Sequence, residues 1–290
     1  MNFAFDAFAF LYQFADAFTF LVLSAIGLAI IFGMMGVINL AHGEFVMFGA
    51  YTTVLTARSG LPLPLAMLAG ALVAGLVGIF LERFIIRRLY HRLFDSIVAT
   101  WAISLIATQG MLIVAGPSIE GIATPFGSFN LGAYSFSVYR VVLTGIAILL
   151  LIFIYWLFMH TTYGVHARAT IQNPAMAKAL GVNTGRIYSL TFGLGAALAG
   201  LTGGLYAPTT TTVPTMGGAF IVQSFVTVVV GGANVLLGAA PAAAVLAAIQ
   251  SLVTTRFGQT IGQIGLLITV ILVVRLVPRG ISGLLMREQH

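Results

Sequence analysis

The chain has no cysteine, so disulfides, thiolate catalysis and cysteine-ligated iron–sulfur clusters are excluded. Charge is almost as scarce. Only 7% of the 290 residues are charged, too few to coat a soluble domain of this size. Lysine occurs once, as Lys178, in a loop between apolar runs, which excludes a retinal Schiff base within a span. No HExxH or GxSxG motif is present and the five histidines are scattered, which argues against an intramembrane enzyme. No metal site or bound cofactor is expected. The net charge of +6 is not a nucleic-acid footprint, because the basic residues gather in short loops where they set membrane orientation. Met1 to Asp6 lacks a basic n-region and is read as mature sequence.

What the chain does have is apolar length. Hydrophobic residues make up 60% of it, mean hydropathy is +1.07, and runs of about 20 apolar residues recur, enough to cross about 30 Å of hydrocarbon. The runs are continuous rather than alternating, which selects helices over a barrel. The expected fold is all-α, one polytopic transmembrane domain over 1–290 with about 8–10 spans. Spans are read at 17–38, 45–57, 61–86, 96–116, 141–160, 187–207, 219–232, 239–254 and 261–277. Those at 45–57 and 219–232 are short enough to be half-helices or re-entrant segments. Phe3, Phe5, Phe8, Phe10, Tyr12 and Phe14, around Asp6 and Asp16, read as an interfacial segment or partner contact before the first span.

Three basic clusters set orientation: Arg83, Arg87, Arg88 and Arg92; Arg168, Lys178 and Arg186; and Arg275, Arg279 and Arg287. Placing all three in the cytoplasm leaves the N-terminus outside, with Arg58, Arg140 and Arg256 as isolated exceptions. Small residues recur at every fourth position in Ala66, Gly70, Ala74 and Gly78, and again in Gly195, Ala199 and Gly203. They read as close helix packing in lipid. A faint repeat, G-x-x-N-x-x-x-G, occurs at 36–43 and 231–238.

The stretch Asn39-Leu40-Ala41-His42-Gly43-Glu44 joins two apolar segments through a polar, glycine-containing break. Ionisable groups at such depth line a cavity, pair together or bind substrate, and Gly43 would let the backbone break. Asn39, His42 and Glu44 are therefore candidates for a translocation path, with Asn234 as their counterpart in the repeat. The structural alternative is that Glu44 offsets the positive N-terminal end of the next helix, with His42 or Asn39 as its cap. A proton relay would have no second intramembrane acid to work with. A second site is the loop from Thr161 to Arg186. Asn173 followed by Pro174 starts a helix and Gly181 stops it, giving two turns from Pro174 to Leu180 with Met176 and Leu180 as an apolar stripe. A cytoplasmic partner accounts for such a helix better than solvent does. The aquaporin tripeptide Asn173-Pro174-Ala175 occurs here only once, flanked by Arg168 and Lys178, and is discounted.

The run Val37-Ile38-Asn39-Leu40-Ala41-His42-Gly43-Glu44 resembles the N-terminal motif of permeases in branched-chain amino acid ABC importers, a family that includes urea and short-chain amide permeases. The resemblance continues through Ala99-Thr100-Trp101-Ala102-Ile103-Ser104-Leu105, Gln172-Asn173-Pro174, Leu190 to Gly195, Ile221 to Phe225, Val229 to Gly232 and Pro278-Arg279-Gly280. It implies a permease subunit in a bacterial inner membrane, carrying a small polar nutrient: a branched-chain amino acid, urea or a short-chain amide. Its implied partners are a second permease, two cytoplasmic ATPases that hydrolyse the ATP, and a periplasmic binding protein. It also implies that Asn173, Pro174, Met176, Lys178, Leu180 and Gly181 dock on an ATPase, although the Glu-Ala-Ala opening of older permease loops is replaced by Ala175-Met176-Ala177. Ala99-Thr100-Trp101 and Thr215-Met216-Gly217-Gly218 look closer to urea and amide permeases. The alternative is a stand-alone channel or facilitator for urea or a similar solute.

Overall fold

The computed structural model describes residues 3–287 except His91, Gly132, Ala133, Ala233, Asn234, Pro278 and Arg279, with side chains left aside at 3–6, 131, 134, 235–237 and 284–287. The helices are α1 (Phe3–Met35), α2 (His42–Arg58), α3 (Leu63–Phe84), α4 (Leu93–Ala115), α5 (Val138–His160), α6 (Thr162–Gln172), α7 (Pro174–Ala179), α8 (Thr184–Tyr206), α9 (Gly217–Gly231), α10 (Val235–Phe257), α11 (Gln259–Leu276) and α12 (Gly280–Arg287). A 3-10 turn, Ile86–Leu89, follows α3, and an antiparallel hairpin of β1 (Ser128–Leu131) and β2 (Tyr134–Ser137) precedes α5. Among the described residues, 7 helices are long and apolar enough to cross a membrane. The two short expected spans are α2, with 17 residues, and α9, with 15. At 1.5 Å per residue they reach about 25 and 22 Å, short of the hydrocarbon thickness.

The chain divides into two compact units. The first comprises Met1–Ala25, Thr124–Leu151 and Gln223–His290. Here the aromatic N-terminal segment is not a separate interfacial element, since α1 starts at Phe3 and continues without interruption. Its rings are used by the hairpin, which lies between the runs at 96–116 and 141–160. Phe8 and Tyr12 set their edges on Phe136, and the Tyr12 hydroxyl donates to the Ser137 carbonyl at 3.1 Å while accepting from its N–H at 3.0 Å. Arg140, an exception to the charge rule, is paired with Asp16. The second repeat copy also lies in this unit. A Cβ on Gly238 would strike the Gly231 carbonyl, so its two glycines touch. In the first copy Gly36 has open space and Gly43 meets Gly217 instead. The two copies therefore differ in surroundings.

The second unit comprises Ile26–Ala123 and Ile152–Val222. Its core is α2, α3 and α8, joined by the small residues noted above. A Cβ on Gly70 would lie 2.5 Å from the Gly49 carbonyl oxygen, and one on Gly195 would lie 2.7 Å from that of Gly27. Ala66, Ala74 and Ala199 are buried. Lipid gives helices no hydrophobic drive to associate, so such backbone approach supplies the dispersion contacts that hold them. By contrast α4 turns apolar side chains outward on most sides, and only Ser96 and Thr100 are buried along it.

Arg87 donates through Nη2 to the Gly185 carbonyl at 3.1 Å, which brings the first two basic clusters to one end of this unit. Arg58 pairs with Glu120 at 2.9 Å. Orientation then gives a first prediction. In a chain without native cysteine, Lys178→Cys should react with a membrane-impermeant maleimide only after the cytoplasmic face is opened. Labelling from the periplasm in sealed cells would invert the topology.

Candidate functional site

The polar break has the expected length but lies three residues earlier. It runs from residue 36 to residue 41, between the end of α1 and the start of α2. The left-handed residue is Gly36, at φ +62°, not Gly43, which sits in the first turn of α2. Gly43 serves close approach instead. A Cβ there would strike the Gly217 carbonyl, and one on Gly217 would lie 2.6 Å from the Gly43 oxygen. The N-terminal turns of the two short helices therefore meet backbone to backbone. His42 is buried, and a Cβ on Gly27 would come within 3.0 Å of its Cε1. Gly27 lies two turns, about 12 Å, before the end of α1. The chain thus turns back along α1 before α2 begins, and α2 runs on to the end where Arg58 pairs with Glu120. On the other side, the 207–216 segment brings Gly217 inward, burying Ala207, Thr212 and Met216.

Two helix N-termini carry partial positive charge, and their meeting would be repulsive without an anion. Glu44 stands in the first turn of α2, 6% exposed. Its Oε1 accepts from the Ser104 hydroxyl of α4 at 2.8 Å. Its Oε2 is buried without a hydrogen-bond partner, as is Nδ2 of Asn39, which is 1% exposed. Asn39 does not cap α2. Its Oδ1 accepts from the Ala41 N–H at 3.0 Å, bracing the break, and the cap residue Ala41 makes no side-chain cap. Thr100 clamps the same break by accepting from the Leu40 N–H at 3.1 Å. Asn39, His42 and Glu44 are thus brought together. Asn234 lies outside the described residues.

The loop after α5 holds two helices where the sequence suggested one. α6 begins at Thr161, whose side chain accepts from the Gly164 N–H at 3.1 Å. Arg168 reaches back to the Phe158 carbonyl near the end of α5, where a cation is favoured. α7 starts as expected: Asn173 Oδ1 accepts from the Met176 N–H at 3.0 Å, and Pro174 occupies the first position. It ends with Leu180 as cap and Gly181 at φ +89°. Ala177 is buried, whereas Met176 and Leu180 are 58% and 78% exposed, so the apolar stripe is presented rather than packed.

One residue was overlooked. Glu82, in α3, is a second acid within a span and is fully buried, which corrects the expectation that Glu44 has no companion. Arg87 donates to it bidentately, Nε to Oε1 and Nη2 to Oε2, both at 3.0 Å. The Tyr90 hydroxyl donates to Oε1 at 2.6 Å, and Ser189 donates to Oε2. Burial, then the bond to Glu82, raises the Tyr90 phenol far above its ordinary value, so it remains a donor at any working pH. Its signal in the sequence was an acid inside an apolar run followed five residues on by arginine.

Apolar spans, two short helices meeting within the bundle around a buried carboxylate, and a capped amphipathic helix beside an arginine-rich end define a membrane-embedded permease. The family described as branched-chain amino acid transport system, permease component, matches residues 10–276. The chain belongs to that family. It is similar to a probable branched-chain amino acid transport permease protein LivH of Methanocaldococcus jannaschii, 29% identical over 91% of this chain and 88% of that one. It is likewise similar to the high-affinity permease LivH of Escherichia coli K12, 27% identical over 90% of each chain, and to BraD of Pseudomonas aeruginosa, 29% identical over 90% and 91%. No solved structure matches it. The chain is accordingly a permease subunit of an ABC importer, a multi-pass protein of the inner membrane that works with other importer components.

Proposed function

We propose that the chain carries a branched-chain amino acid, pairs with a second permease, draws on two cytoplasmic ATPases and receives its substrate from a periplasmic binding protein. The observation that carries this reading is α7, capped at both ends yet exposing Met176 and Leu180. An isolated helix of 6 residues is unstable in water, so its stripe is complete only against a partner. The similar permeases are named for branched-chain amino acid transport, which favours that substrate over urea or amides. Uptake of labelled leucine, competed by isoleucine and valine but not by urea, tests it. Competition by urea alone would reverse the choice.

Within this reading Asn39, His42 and Glu44 form the polar part of the path. Glu44 Oε2 and Asn39 Nδ2 are an acceptor and a donor left over inside the bundle, where unmet polar groups are costly. Glu44→Gln and Asn39→Ala should each lower uptake about tenfold, the scale of one lost charged or buried hydrogen bond, at unchanged membrane abundance. Normal uptake by both would reduce the motif to a brace for the turn between α1 and α2.

A further inference from the structure

The Glu82 cluster is left unused by the path. A fully buried carboxylate needs its lone pairs met as well as its charge neutralised, and the groups that meet them come from separate elements. This one accepts four hydrogen bonds, from Arg87 Nε and Nη2, Tyr90 and Ser189. We propose that it is a rigid linkage carrying displacement of α7 to the polar break, with Glu82 and Arg87 as positioning residues. The inference rests on the reading of α7 as the ATPase contact.

The connections run in one direction through the second unit. α7 is joined to α8 by a tight turn at Gly181, where the Val182 N–H donates to the Ala177 carbonyl at 3.0 Å. Asn183 caps α8 by accepting from the Arg186 N–H at 3.0 Å. In the first turns of α8 the Gly185 carbonyl accepts from Arg87 at 3.1 Å, and Ser189 donates to Glu82. The rings of Tyr188 and Tyr90 lie 5.1 Å apart. Across the carboxylate, the Tyr90 hydroxyl is 3.8 Å from Sδ of Met35. Met35 is the last residue of α1, and Gly36 opens the break. One buried carboxylate therefore ties the helix that follows α7 to the end of α3 and to Tyr90, and Tyr90 so held packs on the thioether of the residue that precedes the break. Charge-assisted bonds of fixed geometry hold such a joint, and separating the pair would strand a buried charge. An apolar contact in its place would slide. Displacement of α7 then moves α8, the end of α3 and the foot of α1 together.

The test uses the whole importer, with its ATPases and binding protein, in proteoliposomes, and reads ATP hydrolysis and substrate uptake in the same preparation. Glu82→Gln is expected to keep the ATPase bound and hydrolysis within about twofold, while substrate moved per ATP falls about tenfold, the upper range for residues that transmit coupling. Arg87→Lys, which keeps the charge but not the paired bonds, should fall in between. Tyr90→Phe removes one hydrogen bond of the cluster and Ser189→Ala two, the one donated to Glu82 and the one accepted from Arg87, and each should lower the ratio by about twofold. They decide the matter if Glu82→Gln fails to assemble. Assembled variants with an unchanged ratio would overturn the linkage. That outcome is distinct from failure of the α7 reading, which would show as Met176→Asp and Leu180→Asp retaining the ATPase.

Discussion

Met176→Asp and Leu180→Asp together should strip the ATPase from the purified permease. The two side chains are exposed by 58% and 78%, and covering each would contribute about 1.5–3 kcal/mol. Losing both therefore costs about 3–6 kcal/mol, a hundredfold to ten-thousandfold in affinity, before the added cost of desolvating two carboxylates. Membrane insertion should survive, because α7 lies between spans. Gly181→Val should act by another route. At φ +89° a β-branched residue is strained, so the turn from α7 into α8 would open and misplace the helix without altering its apolar face. Co-purification of the ATPase, with abundance in the membrane as control, reads both effects. Three variants that keep the ATPase and transport normally would remove α7 from the coupling route.

Gly43→Ala and Gly217→Ala should lower the yield of folded permease severalfold or more. Each added Cβ would enter the backbone of the facing helix. Backbone has no rotamer with which to move aside, so the helices must separate, at about 1–3 kcal/mol and more where lipid packing is tight. The neighbouring Gly218 has open space around its missing Cβ, so Gly218→Ala should be silent. Folded yield after detergent extraction, with thermal unfolding of what remains, compares the three. Equal behaviour of Gly217→Ala and Gly218→Ala would mean that the two short helices do not meet.

The spans were legible because lipid leaves so little choice: continuous apolar length means a helix, and nine helices stand where nine runs were read. The capped helix at Pro174 was legible from Asn, Pro and Gly alone, since each of those residues acts on its own few neighbours. The break at 36–41 was legible as a polar interruption, but its geometry was not. Gly43 looked like the hinge because it is flanked by polar residues, whereas its role depends on Gly217, far away in sequence. Two other features were hidden for the same reason. Thr100 and Ser104 are unremarkable hydroxyls until the fold sets them against Leu40 and Glu44. Glu82 passed unnoticed inside the run at 61–86, because its role depends on Ser189 and Tyr90, which only the fold closes around it.

Reconstitution decides most directly whether this permease is driven by ATP through partner subunits. The chain would be placed in liposomes with the proposed second permease, ATPases and binding protein, and labelled leucine followed with and without ATP on the ATPase side. Accumulation against a gradient that requires both ATP and the binding protein is the expected result. Equal flux of leucine or urea down its gradient through the chain alone, unaffected by ATP, would contradict the account and establish a facilitator.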